Sequence, residues 1–330
     1  MVAKPLNGKW LKAVTLSVIL AAAAYLIVVL WTGHAAVLAA MRRVGIETIV
    51  ILLGLSLTNY GLRFVRWHYY LRKLHGDIGV FHDLRIYIAG FALTTTPGKT
   101  GELARTLWLR PYGVPADRSI AAFFAERIQD FIAILALSCM GLSIYPSGKW
   151  LLLVGVLLVL AAMAILFVPA LTQIVIGLCG RASRRIAVLA LSITDILTHT
   201  RGVLTFTPLV VGLMVGIVAW SAECSAFAIL MEALGHHLAI GTAFSIYAFS
   251  MLAGAISFMP GGLGGSEATM VILLSLNGVP VSIAVSGTLL IRLATLWFAV
   301  LLGILALAIR AKIPPIGSGM LSAPAVEASE

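Results

Sequence analysis

The sequence predicts an all-α polytopic membrane protein with six full transmembrane helices and two re-entrant helical hairpins in an inverted repeat. Three observations lead there. The 330 residues are 61% hydrophobic and 11% charged, against about 45–50% apolar and about 25% charged in soluble domains. Mean hydropathy is +1.05, and the apolar residues fall in runs that reach the ~20 residues a bilayer core needs. Two of these runs are interrupted by matching Pro-Gly breaks, Thr94–Arg110 (TTTPGKTGELARTLWLR) and Ser257–Leu273 (SFMPGGLGGSEATMVIL).

The breaks match beyond their tips. Pro97-Gly98 leads to Glu102, and Pro260-Gly261 to Glu267. Eleven residues past each glutamate stands Gly-Val-Pro, at 113–115 and 278–280, and fourteen past each of those glycines stands an arginine, Arg127 and Arg292. A double register of this kind marks an internal repeat. It sets repeat 1 at about 46–145 and repeat 2 at about 207–309, within a single membrane domain over 1–312.

The full spans are expected at about 11–31, 46–67, 119–145, 150–168, 207–234 and 281–309. The first is too long for a signal-peptide core and reads as a span. Segments 84–110 and 239–276 hold the breaks, and each half is short, so they read as re-entrant hairpins whose irregular backbone is shielded by protein or a wet cavity. Residues 181–200 place Ile186, Leu189, Ile193 and Ile196 at helical spacing behind Arg181, Arg184 and Arg185, which predicts a helix lying on the cytoplasmic surface. The small, polar, Pro/Gly-rich stretch 313–330 predicts a disordered cytoplasmic tail.

The net charge of +10 comes from Lys and Arg at the ends of apolar runs. That is the pattern of a topology signal rather than of a nucleic-acid surface, so no nucleic-acid partner is expected. With the N-terminus cytoplasmic, the inner faces collect Arg63, Arg66, Arg72, Lys73, Arg110 and Arg118 among others, and the outer faces keep Arg42, Arg43 and Lys149. This bias puts both termini inside. The span before the first hairpin then runs inward and its counterpart outward, so the hairpins enter from opposite sides, as in alternating-access transporters.

The charges that fall in or beside apolar segments are Lys99, Glu102, Arg105, Glu126, Arg127, Asp130, Glu223, Glu267 and Arg292. Each costs about 2.5–3.5 kcal/mol at a helix centre, so partners are expected. Glu102 with Arg127 and Glu267 with Arg292 share a separation of 25 residues, and one repeat geometry would form both pairs. Buried ion pairs that fix hairpin packing, and a polar substrate path over Lys99, Glu102, Arg105, Arg127, Asp130, Glu267 and Arg292, are compatible readings. The hairpin tips are Pro97, Gly98 and Gly101 in the first, and Pro260, Gly261, Gly262, Gly264 and Gly265 in the second. Half-helices starting after Gly101 and Gly265 would point free N–H groups at an anion. Arg63, Arg66, Trp67, Tyr70 and Arg85 read as an aromatic belt with snorkelling cations or as an anionic headgroup interface.

Enzyme templates fit poorly. Gly98-Lys99-Thr100 lacks the first glycine of a P-loop, since residue 93 is leucine. His236-His237 lacks metal-ligand spacing, and the three cysteines are far apart. No catalytic residue, metal or cofactor is expected.

Taken together, R-x₂-R-W-x₂-Y-L at Arg63–Leu71, F-x₃-R-x-Y-x₂-G at Phe81–Gly90, T-P-G-K-x-G-E-x₂-R at Thr96–Arg105, E-R-x₂-D at Glu126–Asp130 and P-G-G-L-G-x₂-E at Pro260–Glu267 resemble the flippase-like membrane domain of the lysylphosphatidylglycerol synthases and its stand-alone relatives. The resemblance runs to about Arg310, and the sequence ends at Glu330 without room for the aminoacyl-transferase domain of the large synthases. It implies movement of an anionic or amphipathic lipid between leaflets. Some stand-alone relatives are associated with hopanoids or envelope glycolipids, so an intramembrane enzyme or a scaffold for such biosynthesis is the alternative. Small residues would serve packing within one chain as readily as in a homo-oligomer.

Overall fold

The computed structural model describes residues 34–76, 78–141, 148–168, 184–257 and 259–309, with positions 170, 173 and 177 between. The expected first span at 11–31 and the tail at 313–330 lie outside the described residues. The regular elements are all helical.

Helix α1 runs His34–Lys73 with a kink at Gly45, and α2 runs Val80–Gly90. The first break follows, as 3₁₀ turns at Phe91–Leu93 and Pro97–Ala104, and leads into the five-residue α3, Arg105–Leu109. Next come α4 at Ala116–Cys139, α5 at Lys149–Phe167 and α6 at Arg184–Val203. The second half comprises α7 at Phe206–Ala233, α8 at Ile240–Ile256, a 3₁₀ turn at Pro260–Gly262 and α9 at Gly265–Leu276. The last helix, α10 at Val281–Arg292, passes through a π-helical turn at Leu293–Trp297 into α11, Phe298–Ala308.

Among the described residues, four helices are long and apolar enough to cross a bilayer: Arg42–Lys73, Lys149–Phe167, Phe206–Ala233 and Val281–Ala308. They coincide with four of the six expected spans, and the chain is a multi-pass membrane protein. Helix α4 has 24 residues, but Glu126, Arg127 and Asp130 interrupt its apolar character. Helix α6 forms where a surface helix is expected and packs on α4 and α5, with His199 Nε2 2.9 Å from Asp117 Oδ2.

Equivalent turns punctuate the two halves. After α1, the His75 and Gly76 N–H groups donate to Arg72 and Leu71 carbonyls; after α7, Gly235 and His236 donate to Glu232 and Met231. His75 and Gly235 both have positive φ, 60° and 83°, the left-handed residue that closes a Schellman turn. This places Arg63 opposite Glu223, and Tyr87 opposite Tyr247, in the repeat register. The later turns agree as well. Gly113 and Gly278 both take φ 78°, which a side chain would resist. The buried Val114 and Val279 behind them donate to Leu109 and Leu274, and the next helix starts directly after proline in each case.

Among the described residues the core has two main apolar centres. One gathers Trp67, Tyr70, Leu71, Tyr87 and Leu109 of the first half. The other gathers Phe227, Leu230, Ile246, Tyr247 and Leu252 of the second. Helix α4 joins them, with Ala121, Ala122 and Ala125 in the first and Ala133, Ile134 and Leu137 in the second. Its alanines let neighbouring backbones approach closely. Between those two sets lie Glu126, Gln129 and Asp130, so the polar groups occupy the seam between the two centres.

Candidate functional site

Each break is built by proline. Pro97 and Pro260 hold the preceding Thr96 and Met259 extended, at ψ 153° and 151°, because the ring disfavours helix at the residue before it. In the first break Thr96 Oγ1 donates to Leu93 O at 2.8 Å and accepts from Gly101 N at 2.6 Å. In the second, Arg292 Nη2 donates to Gly261 O at 2.7 Å, and Gly264 N donates to Glu267 Oε2 at 2.7 Å. The tips meet: a Cβ built on Gly261 would stand 3.5 Å from Thr95 Cα.

Only the second half-helix begins where the sequence implies. Helix α9 starts at Gly265, and Glu267 caps its first turn. Residues 97–104 are 3₁₀ and the α-helix waits until Arg105. The reason is local. Lys99 is left-handed at φ 56°, and Thr96 draws the chain into a tight loop before a helical turn can close.

One of the two expected ion pairs forms. Arg292 Nε donates to Glu267 Oε1 at 2.7 Å. In the first repeat Glu102 is instead held by Thr94 Oγ1 at 2.7 Å and by Arg105 Nη2 at 2.8 Å. Arg127 turns to Glu126 and Asp130, each at 3.2 Å. The register explains the difference, since the second repeat has Met270 where the first has Arg105, and Ile291 and Thr295 where the first has Glu126 and Asp130.

Arg63 and Arg66 join this network rather than lying at a headgroup surface. They are buried, as are Trp67 and Tyr70. Arg63 Nη2 lies 3.0 Å from Asp130 Oδ2, and Arg66 donates to Asp130 and to Gly212 O at 3.3 Å. Tyr70 donates to Gln129 Oε1 at 2.5 Å. Arg85 remains exposed, with Nη2 3.3 Å from Ile309 O. Arg105 is sandwiched by aromatic rings, with Cζ 4.3 Å from the Trp67 ring centroid and 4.7 Å from that of Tyr87, a geometry that favours a desolvated cation.

Two acids that the sequence marks as intramembrane charges but leaves off the substrate path, Glu126 and Glu223, find buried partners, and so does Asp83, which the sequence does not single out. Glu126 is fully buried and accepts from Tyr87 OH at 2.9 Å. Glu223 accepts from Tyr247 OH at 2.6 Å. Buried Asp83 accepts from Trp67 Nε1 at 3.0 Å and lies 2.7 Å from His68 Nδ1. An acid flanked by apolar helix was the available signal for all three.

Both breaks face a cavity of ≈ 420 Å³, walled largely by apolar side chains of α4, α5, α7 and α8. Its polar lining includes Lys99, Glu102, Arg127, Asp130, Glu223 and Arg292. Each of the arginines Arg63, Arg66, Arg105, Arg127 and Arg292 has a carboxylate within 4 Å. Lys99 has none among the described residues; its Nζ sits 6.0 Å from the Trp220 ring centroid. Among the described residues, the cavity thus offers one cation without a counter-charge in contact.

Residues 14–303 match the sequence profile of the family described as "Lysylphosphatidylglycerol synthase TM region". The chain belongs to this family. Within the wider set of relatives, a "UPF0104 membrane protein" of Methanothermobacter thermautotrophicus is 24% identical over 306 residues, covering 85% of this chain and 89% of the relative. A second UPF0104 membrane protein of that organism is 30% identical over 111 residues, 34% of this chain and 33% of the relative. Membership in the lysylphosphatidylglycerol synthase TM family agrees with the resemblance carried by the motifs at Arg63–Leu71, Thr96–Arg105 and Pro260–Glu267.

Proposed function

We propose that the protein carries an anionic or amphipathic lipid between the leaflets of a bacterial inner membrane, with both termini cytoplasmic. The headgroup passes through the cavity between two re-entrant breaks that enter from opposite sides, and the tail stays among the apolar walls. The observation that carries this reading is the contact of the two Pro-Gly tips across a cavity whose one cation without a carboxylate within 4 Å, among the described residues, is Lys99. A lysine there suits a phosphate as a point charge, and the paired arginines keep the surroundings polar at modest net charge. On this reading the protein is a transporter and not an enzyme, and Glu102 holds the first tip in shape through Thr94 and Arg105.

The test is transfer in reconstituted vesicles. Labelled phosphatidylglycerol placed in one leaflet should become accessible to a membrane-impermeant quencher faster than in protein-free vesicles, and Glu102→Gln should slow it. Equal rates with and without protein, across anionic and polyprenyl-phosphate lipids, would sink the proposal.

A further inference from the structure

The repeat register sets Glu223 where the first half has Arg63, and the two residues meet opposite fates. Arg63 is locked between Glu126 and Asp130. Glu223 has no cation within 4 Å among the described residues; its contact is the neutral hydroxyl of Tyr247, 2.6 Å away. Glu102, Glu126, Asp130 and Glu267 each touch an arginine, so protonating any of them would break an ion pair. Protonating Glu223 breaks none.

Its surroundings are defined on every side. Helix α8 presents Tyr247, α1 presents Arg63 and Tyr60, the first break presents Lys99, and α10 presents Arg292. Arg127 and Asp130 on α4 line the same cavity but are paired with one another, and Cys224 is the titratable neighbour on α7 itself. Trp220, one turn before Glu223, brings Arg63 and Lys99 to its ring, with Cζ at 5.7 Å and Nζ at 6.0 Å. Its buried Nε1–H has no hydrogen-bond partner among the described residues and is a donor available to an acceptor in the cavity.

We propose that Glu223 is a proton-binding site coupled to the lipid headgroup, so that an anionic lipid and one proton cross together. This rests on the transport reading above. Deprotonated, Glu223 offsets the field of Lys99 and repels an incoming phosphate. When a proton from the aqueous phase forms an O–H bond on its carboxylate, that repulsion is removed and Lys99 faces the headgroup alone. Release of the proton on the other side restores the repulsion and expels the lipid. The lipid's charge and the proton's cancel, so the loaded cavity gains no net charge inside the membrane, where an uncompensated one is costly. By linkage, bound lipid must raise proton affinity by the factor through which the proton raises lipid affinity.

The coupling has a stoichiometric readout. Vesicles holding trace labelled phosphatidylglycerol, with one pH unit imposed across the membrane, should reach about a tenfold excess of label in the leaflet facing the alkaline side, since one pH unit equals tenfold in proton activity. Protein-free vesicles give the baseline. Glu223→Gln should still move lipid but settle at a ratio of about one, the value for transfer with no bound driving force. A ratio near one for the unaltered protein, or enrichment on the acid side, overturns the coupling and leaves the transport reading intact. If no lipid moves at all, the transport reading falls, and infrared titration of the protein in nanodiscs decides the proton site by itself. A protonated-carboxyl band that disappears in Glu223→Gln and shifts in Tyr247→Phe supports it, and bands unchanged in Glu223→Gln overturn it.

Discussion

Arg292 fastens both ends of the second break: its Nε donates to Glu267 Oε1 at 2.7 Å, and its Nη2 donates to Gly261 O at 2.7 Å. The pair joins residues 25 apart in sequence, and Glu267 caps α9 with its other oxygen. One guanidinium therefore ties the tip, the start of α9 and the end of α10 into a unit.

Removing that guanidinium strands a largely buried carboxylate. Arg292→Gln is expected to destabilise by about 3 kcal/mol, the low end for breaking a buried pair from one side, because the Glu267 side chain keeps 17% exposure. Arg292→Lys should recover part of this, since a single ammonium reaches Glu267 or Gly261 less well than a fork does. Unfolding in mixed micelles of rising SDS content measures both.

The first tip offers a cleaner separation of charge from fold. Lys99 holds a left-handed backbone at φ 56°, which glycine adopts without penalty. Lys99→Gly should leave stability equal or higher while reducing transfer of phosphatidylglycerol by roughly tenfold to a hundredfold, the loss of one charge-assisted hydrogen bond. Paired thermal-melt and transfer measurements check it. Transfer at the unaltered rate would remove Lys99 from the path.

Topology is open to chemical labelling. Thr100 and Met259 are both exposed and sit one at each break. In a background with the three native cysteines replaced, Thr100→Cys should react with an impermeant maleimide from the cytoplasmic side and Met259→Cys from the outer side. Labelling of both from one side would overturn the inverted arrangement proposed above.

A close backbone contact fixes the first break against the last helix. A Cβ on Gly303 would come 2.1 Å from Ala92 N and 2.7 Å from Phe91 C. Backbone cannot swing aside as a side-chain end can. Gly303→Ala should cost about 1–3 kcal/mol through overpacking, read by the same SDS titration, whereas Gly241→Ala, with open space at its Cβ, should be neutral or mildly stabilising.

The paired turns were legible in the sequence. Gly-Val-Pro occurs twice in register, and both copies fold to φ 78° with a buried valine. Four spans were legible as uninterrupted apolar length. Pairing within the charge cluster was not, because it depends on which helices meet. Arg63 and Arg66 lie beside aromatic residues at a helix end, a pattern that also describes a membrane interface, and Asp130 is 64 residues from Arg66. Asp83 stayed hidden for a similar reason, since its partners Trp67 and His68 sit on the preceding helix.

The π-helical turn at Leu293–Trp297 acts as a phase shifter. Each residue of an α-helix advances about 100° around the axis, so in an unbroken helix Arg292 and Gly303 would point almost the same way. One extra residue in the turn rotates everything beyond it by roughly that angle, and Tyr60 OH donates to the carbonyl of Thr295 within the turn. The rotation lets a single rod engage the second break through Arg292 and the first through Gly303. A twist of that rod would turn both breaks at once, like two gears on one shaft.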